Sequence, residues 1–434
     1  MTGRRSRLWT IVAAAGVAGL VVGATGSLAV QSTGTAPDDP SSRAVTSPES
    51  DTHPGITVPA APKRATKTSP LPASLFFAWT SGGLPGGFET GVRDIRRIDA
   101  VAVVRSDTTW MARSFDADGK LVDDPRAPFD IPLEASAVDP ADFGAFLPVA
   151  YKPVVARLEA GEGVISESSA RVRGIGVGGT IEMRPYEEHT GPSSTGQIPV
   201  RIAAVLPDDL VGATELMVAE DVGMRIGAIQ ERYALLDPKG SPSVPTIERA
   251  IRSVVGSSAA LLVREFGDTL YPRHGDAVLP PVMFKLEFGE FAARPLPGAP
   301  GSLDIDGRWS KEHIEQRRLP IVGNIQCHED VFPQLIGVLE ELQRRGLQDL
   351  IRTEHGCFVP KFMLNVANSA ISHHSWGVAV DLNLAGNEFG TTPHQPTALV
   401  RIMEKWGFTW GGRWITPDGN HFEWHDDVDP TENG

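Results

Sequence analysis

Residues 372–381 read SHHSWGVAVD and residues 418–425 read DGNHFEWH, and these two stretches decide how the C-terminal part of the chain is read. The first places His374 and Asp381 seven residues apart around a glycine that leads into an apolar run. In VAVDLNL (378–384), Val378, Val380, Leu382 and Leu384 alternate with Ala379, Asp381 and Asn383. That is the period of a strand, so Asp381 leaves it on one defined face. Gly377 lets the backbone turn just before the strand and bring His374 back over that face. The second stretch has the same grammar, with Phe422 and Trp424 pointing one way and His421 and Glu423 the other. Two imidazoles and a carboxylate are a ligand set for a hydrolytic zinc ion, which takes three protein ligands and keeps a fourth position for water. His374, Asp381 and His421 are therefore the candidate ligands of Zn2+. Asp418, three residues before His421 in a PDGN turn, is the candidate general base. The other histidines of this region, His355, His373, His394 and His425, read as hydrogen-bonded structural residues.

The segment from about residue 319 to 423 resembles the VanY-type D-alanyl-D-alanine carboxypeptidases and related peptidoglycan endopeptidases, in the superfamily that includes the hedgehog signalling fold. The family pattern SxHxxGxAxD is met by Ser372, His374, Gly377, Ala379 and Asp381. A WGG followed by DxxHFE is met by Trp410, Gly411, Gly412, Asp418, His421, Phe422 and Glu423. The resemblance implies a small antiparallel-sheet α+β peptidase domain, zinc held by His374, Asp381 and His421, and Asp418 as the catalytic acid and base. It also implies peptidoglycan stem peptides as substrate. Relatives usually carry Arg after a GC(F/Y)xP stretch, where this chain reads GCFVPK with Lys361. Arg grips a carboxylate through two parallel hydrogen bonds, whereas Lys offers a point charge. Whether the bond cut is that of a carboxypeptidase or an endopeptidase therefore stays open. Lys361, Ser372 and Trp410 are the candidate substrate-side residues; Ser372 and Trp376 hold the motif, and Trp410 and Trp414 wall the cleft. The alternative from another class is a non-catalytic wall-binding or membrane-complex regulatory protein with a structural metal site. Against it, a structural site needs no base and fills its fourth position with protein.

The chain has 434 residues, 41% of them apolar, enough for two folded domains with appendages. Its formal charge of −14 argues against nucleic acid as a partner. Arg4, Arg5 and Arg7 precede an apolar run over residues 8 to about 30, long enough to cross a hydrocarbon core of roughly 30 Å. The basic residues favour a cytoplasmic N-terminus, which places the rest of the chain outside as a single-pass membrane protein; cleavage and secretion is the alternative. Residues 31–72 are rich in Pro, Ser, Thr and Ala without apolar period and read as a disordered linker.

Residues 73–294 read as a mixed α/β extracytoplasmic domain. Strands are expected at 98–105 and 109–122, the latter folding at Asp118 and Gly119, and a helix at 244–256. GIGVGG (174–179) matches GxGxxG, but TIEMR follows where a helix would have to begin, so it reads as a turn between strands. The run 158–183, with VRIAAVLPDD and TELMVAEDVG after it, resembles the extracytoplasmic core of MacB-type and FtsX-type membrane proteins in its rhythm of Gly-flanked strands. That resemblance implies a binding module, with a membrane protein as possible partner. PLPGAPG (295–301) marks a boundary, and 302–434 is the peptidase domain, with helices expected at 329–346 and 396–407. Cys327 and Cys357 both fall there; thiols that meet outside the cytoplasm oxidise, so a disulfide is expected, with two free thiols as the alternative.

Overall fold

The computed structural model describes residues 75–187, 191–256, 260–265, 271, 273–275 and 279–426. The expected anchor (1–30) and linker (31–72) lie outside the described residues. Among the described residues no helix is long and apolar enough to cross a membrane. The fold is mixed α/β. In chain order the first strands are β1 (Phe76–Thr80), β2 (Ile98–Phe115), β3 (Leu121–Asp123), β4 (Ile131–Val138), β5 (Gly163–Ser166) and β6 (Thr180–Met183). A short ribbon follows, β7 (Tyr186–Glu187) with β8 (Gly191–Pro192), and then β9 (Ile198–Leu206), β10 (Leu216–Ala219), β11 (Glu231–Pro238) and β12 (Leu261–Glu265). Apart from the ribbon they form one sheet in the order β12-β1-β11-β2-β4-β10-β5-β9-β6, with β3 on β2 and a further β2–β6 pairing.

β2 corrects the expected break after residue 105. It runs unbroken and pairs in turn with β11, β4 and β6. The polar residues that suggest a break are buried and partnered instead. The Asp107 carboxylate accepts from the N–H groups of Ile229 (3.1 Å) and Gln230 (2.9 Å) and pairs with Arg232. The Thr109 hydroxyl donates to the Leu133 carbonyl at 3.2 Å. GIGVGG differs from its reading too. Gly174, in the left-handed conformation, ends a helix over Glu167–Arg173, so the stretch joins helix to strand.

The remaining strands are β13 (Ala293–Leu296), β14 (Ala299–Ile305), β15 (Ile314–Leu319), β16 (Gly323–His328), β17 (Ala379–Asp381), β18 (Phe408–Trp410) and β19 (His421–Trp424). PLPGAPG thus lies in the β13–β14 hairpin. β15 pairs with β16, and the three-stranded antiparallel sheet has the order β17-β19-β18. The helix Phe332–Arg344 buries Phe332, Leu335, Val338, Leu339 and Leu342, and the helix Thr397–Lys405 buries Leu399, Val400, Ile402 and Met403. A single core joins these side chains to Trp376, Phe362 and Trp424. It also takes in Trp110 of β2 and Phe284 and Phe288 of a helix over Pro281–Phe288. All described residues belong to one compact unit.

Candidate metal centre

β17 and β19 pair antiparallel with Asp381 opposite His421 and Ala379 opposite Glu423. Residues directly opposed in such a pair have Cβ atoms about 4.5–5.5 Å apart. Register alone therefore brings carboxylate and imidazole together, with Asp381 Oδ1 3.1 Å from His421 Nδ1. The strand is shorter than the alternation suggests. Asn383 has φ 55°, which ends it and leaves Leu384 exposed. The amide of Asn383 is spent on the 350–352 backbone and on Gln395, accepting from Arg352 N–H (2.7 Å) and donating to the Leu350 carbonyl (2.8 Å) and to Gln395 Oε1 (2.8 Å).

His374 arrives from a single 3-10 turn over His373–Trp376, which ends at Gly377 with φ 71°. A Cβ on Gly377 would sit 2.7 Å from the backbone nitrogen of His328, so both the conformation and the space require glycine. The turn delivers His374 Nε2 to 3.2 Å from the same Asp381 Oδ1. Ligand atoms from His374, Asp381 and His421 all lie within 4.8 Å of one another. Two ligands of a tetrahedral zinc ion with bonds near 2.0–2.1 Å stand about 3.3 Å apart. The donor set therefore fits zinc in type and spacing.

Each imidazole is held by its other nitrogen. His374 Nδ1 is 3.0 Å from the Cys357 carbonyl, which takes the N–H and leaves Nε2 facing the cluster. Cys357 is bonded to Cys327 in a disulfide with a Cα–Cα distance of 5.2 Å. His421 Nε2 is 3.2 Å from Glu423 Oε2, leaving Nδ1 for the cluster. The same Glu423 oxygen is 2.6 Å from His373 Nδ1. The charges answer one another. Burial opposes the charged form of His421, but the Asp381 and Glu423 carboxylates outweigh it and push its pKa up to about 10. Burial likewise opposes the charges of Asp381 and Glu423, and the neighbouring imidazoles still hold both well below the usual carboxylate range. Burial pushes His374 down, which favours the neutral ligand form.

Asp418 sits half-buried on the turn before β19. Its Oδ1 accepts from Asn420 Nδ2 at 2.7 Å, and its backbone N–H donates to the Gly411 carbonyl at 3.0 Å. Burial raises its pKa, and the fields of Asp381 and Glu423 act in the same direction, against those of His421 and Lys361. The loop that carries it docks on the large sheet. Ile415 packs with that sheet's buried side chains, and the Thr416 hydroxyl donates to Ser81 Oγ at 2.9 Å.

The charge of Lys361 bears on both His374 and Asp418, while its backbone exchanges hydrogen bonds with Ser375 and Ser372. Ser372 is buried, and its backbone N–H donates to the Lys361 carbonyl at 3.1 Å. Trp410 Nε1 donates to the Gly419 carbonyl at 2.8 Å, steadying the turn after Asp418. The Trp414 ring is 5.3 Å from that of His421, whereas Trp376 is buried in the core with Nε1 on the Gly289 carbonyl. Sequence reasoning missed the Cys357 carbonyl and the link from Glu423 to His373. The spacing of Glu423 from His421, two residues along one strand, was the available signal for part of it.

Residues 366–424 match a family model described as D-alanyl-D-alanine carboxypeptidase. The match spans His374, Asp381, Asp418 and His421, and over it the chain is similar to that family. No curated protein matches the chain. Among solved structures the chain is similar to the periplasmic region of MacB from Actinobacillus actinomycetemcomitans, at 10% identity over 45% of this chain and 90% of that one, TM-score 0.28. A domain of a putative permease protein from Porphyromonas gingivalis gives 14% identity over 48% and 96%, TM-score 0.26. The extracellular domain of the ABC-type transporter YknZ from Gram-positive bacteria gives 12% identity over 44% and 100%, TM-score 0.25.

Proposed function

We propose that the C-terminal region is a zinc-dependent peptidase that cuts peptidoglycan stem peptides, as a D-Ala-D-Ala carboxypeptidase or as an endopeptidase. The observation that carries the reading is the convergence of His374, Asp381 and His421, whose ligand atoms lie within 4.8 Å of one another, beside a turn that presents Asp418. When bound there, zinc supplies Lewis-acid polarisation of a carbonyl and acidifies water to a pKa near 7. Asp418 takes the proton from the attacking water and returns it to the leaving amine. Lys361 places a positive charge at the same cleft, facing either a substrate carboxylate or the developing oxyanion. Glu423 and the Cys357 carbonyl keep the two imidazoles in the tautomers that ligation needs.

A purely structural metal site would fill its fourth position with protein. Among the described residues the cluster has three members, which favours the catalytic reading. The N-terminal arginines and apolar run support export and membrane anchoring of the same protein, with residues 73–294 as an extracytoplasmic body beside the peptidase and a membrane protein as possible partner.

The deciding experiment incubates the full-length protein with purified muropeptides, with and without chelator, and reads the products by mass spectrometry. Chelator-sensitive loss of a terminal D-alanine identifies a carboxypeptidase. Scission within the stem or cross-link identifies an endopeptidase. An unchanged muropeptide profile at every zinc concentration removes the proposal.

A further inference from the structure

We infer that His373 is a positioning residue for His421, acting through Glu423, and that Phe284 fixes His373 in place from outside the stretch similar to the carboxypeptidase family. The inference rests on the metal reading above and deepens it. Glu423 Oε2 is shared by two imidazoles, 2.6 Å from His373 Nδ1 and 3.2 Å from His421 Nε2. His373 makes the shorter of the two contacts, so its N–H has the stronger hold on where that oxygen sits. Glu423 is only 2% exposed, which leaves its carboxylate little room to turn toward solvent. The place of Oε2 in turn sets the ring plane of His421 and keeps the proton on Nε2, so that Nδ1 offers its lone pair to the cluster.

His373 is itself held. It is 7% exposed, and its ring centroid lies 4.0 Å from that of Phe284, tilted by 35°. Phe284 is fully buried among Phe288, Trp376 and Trp424, with ring centroids 5.9 to 6.2 Å away. The next residue of its helix, Lys285, reaches the large sheet, where Nζ is 2.5 Å from the Pro132 carbonyl and 2.8 Å from Glu215 Oε2. A continuous line of contacts thus runs from β4 and Glu215, the residue before β10, through the helix Pro281–Phe288 to His373, Glu423 and His421. The large sheet is, on this reading, part of the frame that shapes the metal site.

The test measures zinc affinity of the full-length protein by competition with a chromophoric chelator, alongside melting of the metal-free protein. His373→Phe keeps an aromatic face toward Phe284 but has no donor for Glu423; zinc affinity is expected to fall about 10- to 100-fold, as when other outer partners of ligating histidines are removed. His373→Asn carries an amide N–H near the place of Nδ1 and is expected to recover most of the loss. Cobalt substituted for zinc should show altered visible bands in His373→Phe and near-parental bands in His373→Asn. A purely packing role predicts the opposite pattern, a lower metal-free melting temperature with affinity and cobalt bands unmoved, and that result overturns the inference. Equal loss in the Phe and Asn variants overturns it as well. If His373→Phe does not fold, His373→Leu replaces it in the same comparison. A parent protein that binds no zinc points instead to failure of the metal reading itself, which separates the two outcomes.

Discussion

Asp381 Oδ1 lies 3.1 Å from His421 Nδ1 and 3.2 Å from His374 Nε2, so one carboxylate oxygen stands at the meeting point of two imidazoles. Strand register makes the first contact and a glycine turn makes the second. The two segments supplying them are far apart in sequence and meet through the pairing of β17 with β19. Asp381→Asn keeps the shape and removes the charge at this point. Its zinc affinity should drop by more than the roughly 10- to 100-fold of an outer-partner change. Ligand binding stabilises by about 2.7 kcal/mol at a hundredfold excess over Kd, so zinc should raise the melting temperature of the parent and leave that of Asp381→Asn nearly unmoved. Equal zinc-induced shifts in the two proteins would show that Asp381 is not a ligand.

Asp418 lies beside the ligand cluster, close enough for Asp381, His421 and Glu423 all to bear on its charge. Asp418→Asn should therefore bind zinc as the parent does while cleaving muropeptides about 10²- to 10⁴-fold more slowly, the usual worth of a positioned acid or base. Stopped-time mass spectrometry on zinc-loaded protein measures it. Parental turnover would exclude Asp418 from proton transfer.

The parts of the site written in short-range pattern were legible: the Val378, Val380, Leu382 alternation, the Gly377 turn, and the pairing of His421 with a nearby acid. What was hidden depends on contacts between distant segments. Nothing around Phe284 announces that its ring will lie against His373, because that meeting is made by the fold. β2 misled for a related reason. Ser106, Asp107 and Thr108 look like a loop until the backbone of residues 229–230, just before β11, and that of 368–369 provide their partners. Leu384 continues the apolar alternation in sequence yet is exposed, because alternation alone cannot show that Asn383 leaves the β region.

The Cys327–Cys357 disulfide closes a 30-residue separation and carries the carbonyl that orients His374. Chain entropy gives a loop of that size about 3–4 kcal/mol. Cys327→Ser with Cys357→Ser should be less stable by that amount and should also bind zinc more weakly. Denaturant titration and chelator competition on the same samples check both. A double variant with unchanged zinc affinity would show that the Cys357 backbone is held without the bond.

His328 is buried in its neutral form. Nε2 is 3.2 Å from the Phe288 carbonyl, and Nδ1 accepts the Asp330 N–H at 3.3 Å. Burial lowers its pKa despite the nearby Asp330 carboxylate, and His313 adds to the lowering. In the unfolded chain this histidine takes up a proton near pH 6.5. Below that value the unfolded state binds more protons, so stability is intact above pH 6.5 and declines as pH falls, by up to about 1.4 kcal/mol per pH unit. Guanidinium titrations at saturating zinc between pH 7.5 and pH 5.5, values bracketing the usual His range, should show a shallower decline in His328→Asn than in the parent. Parallel curves would assign the acid sensitivity elsewhere.

Lys285 and Arg173 share the carboxylates of Glu215 and Glu290 in a buried ionic cluster, with Lys285 Nζ 2.8 Å from Glu215 and 2.9 Å from Glu290. Breaking such a group by removing one member leaves an uncompensated buried charge and typically costs about 3–5 kcal/mol. Lys285→Met keeps the stem and removes the ammonium, so it should destabilise the chain by that order in urea titration. Because the same helix carries Phe284, Lys285→Met should also weaken zinc binding, while Asp107→Asn, in the buried group with Arg232, should lower stability and leave zinc affinity alone. If both variants lose stability and neither loses zinc, the helix Pro281–Phe288 is a packing element for the core and exerts no control over the metal ligands.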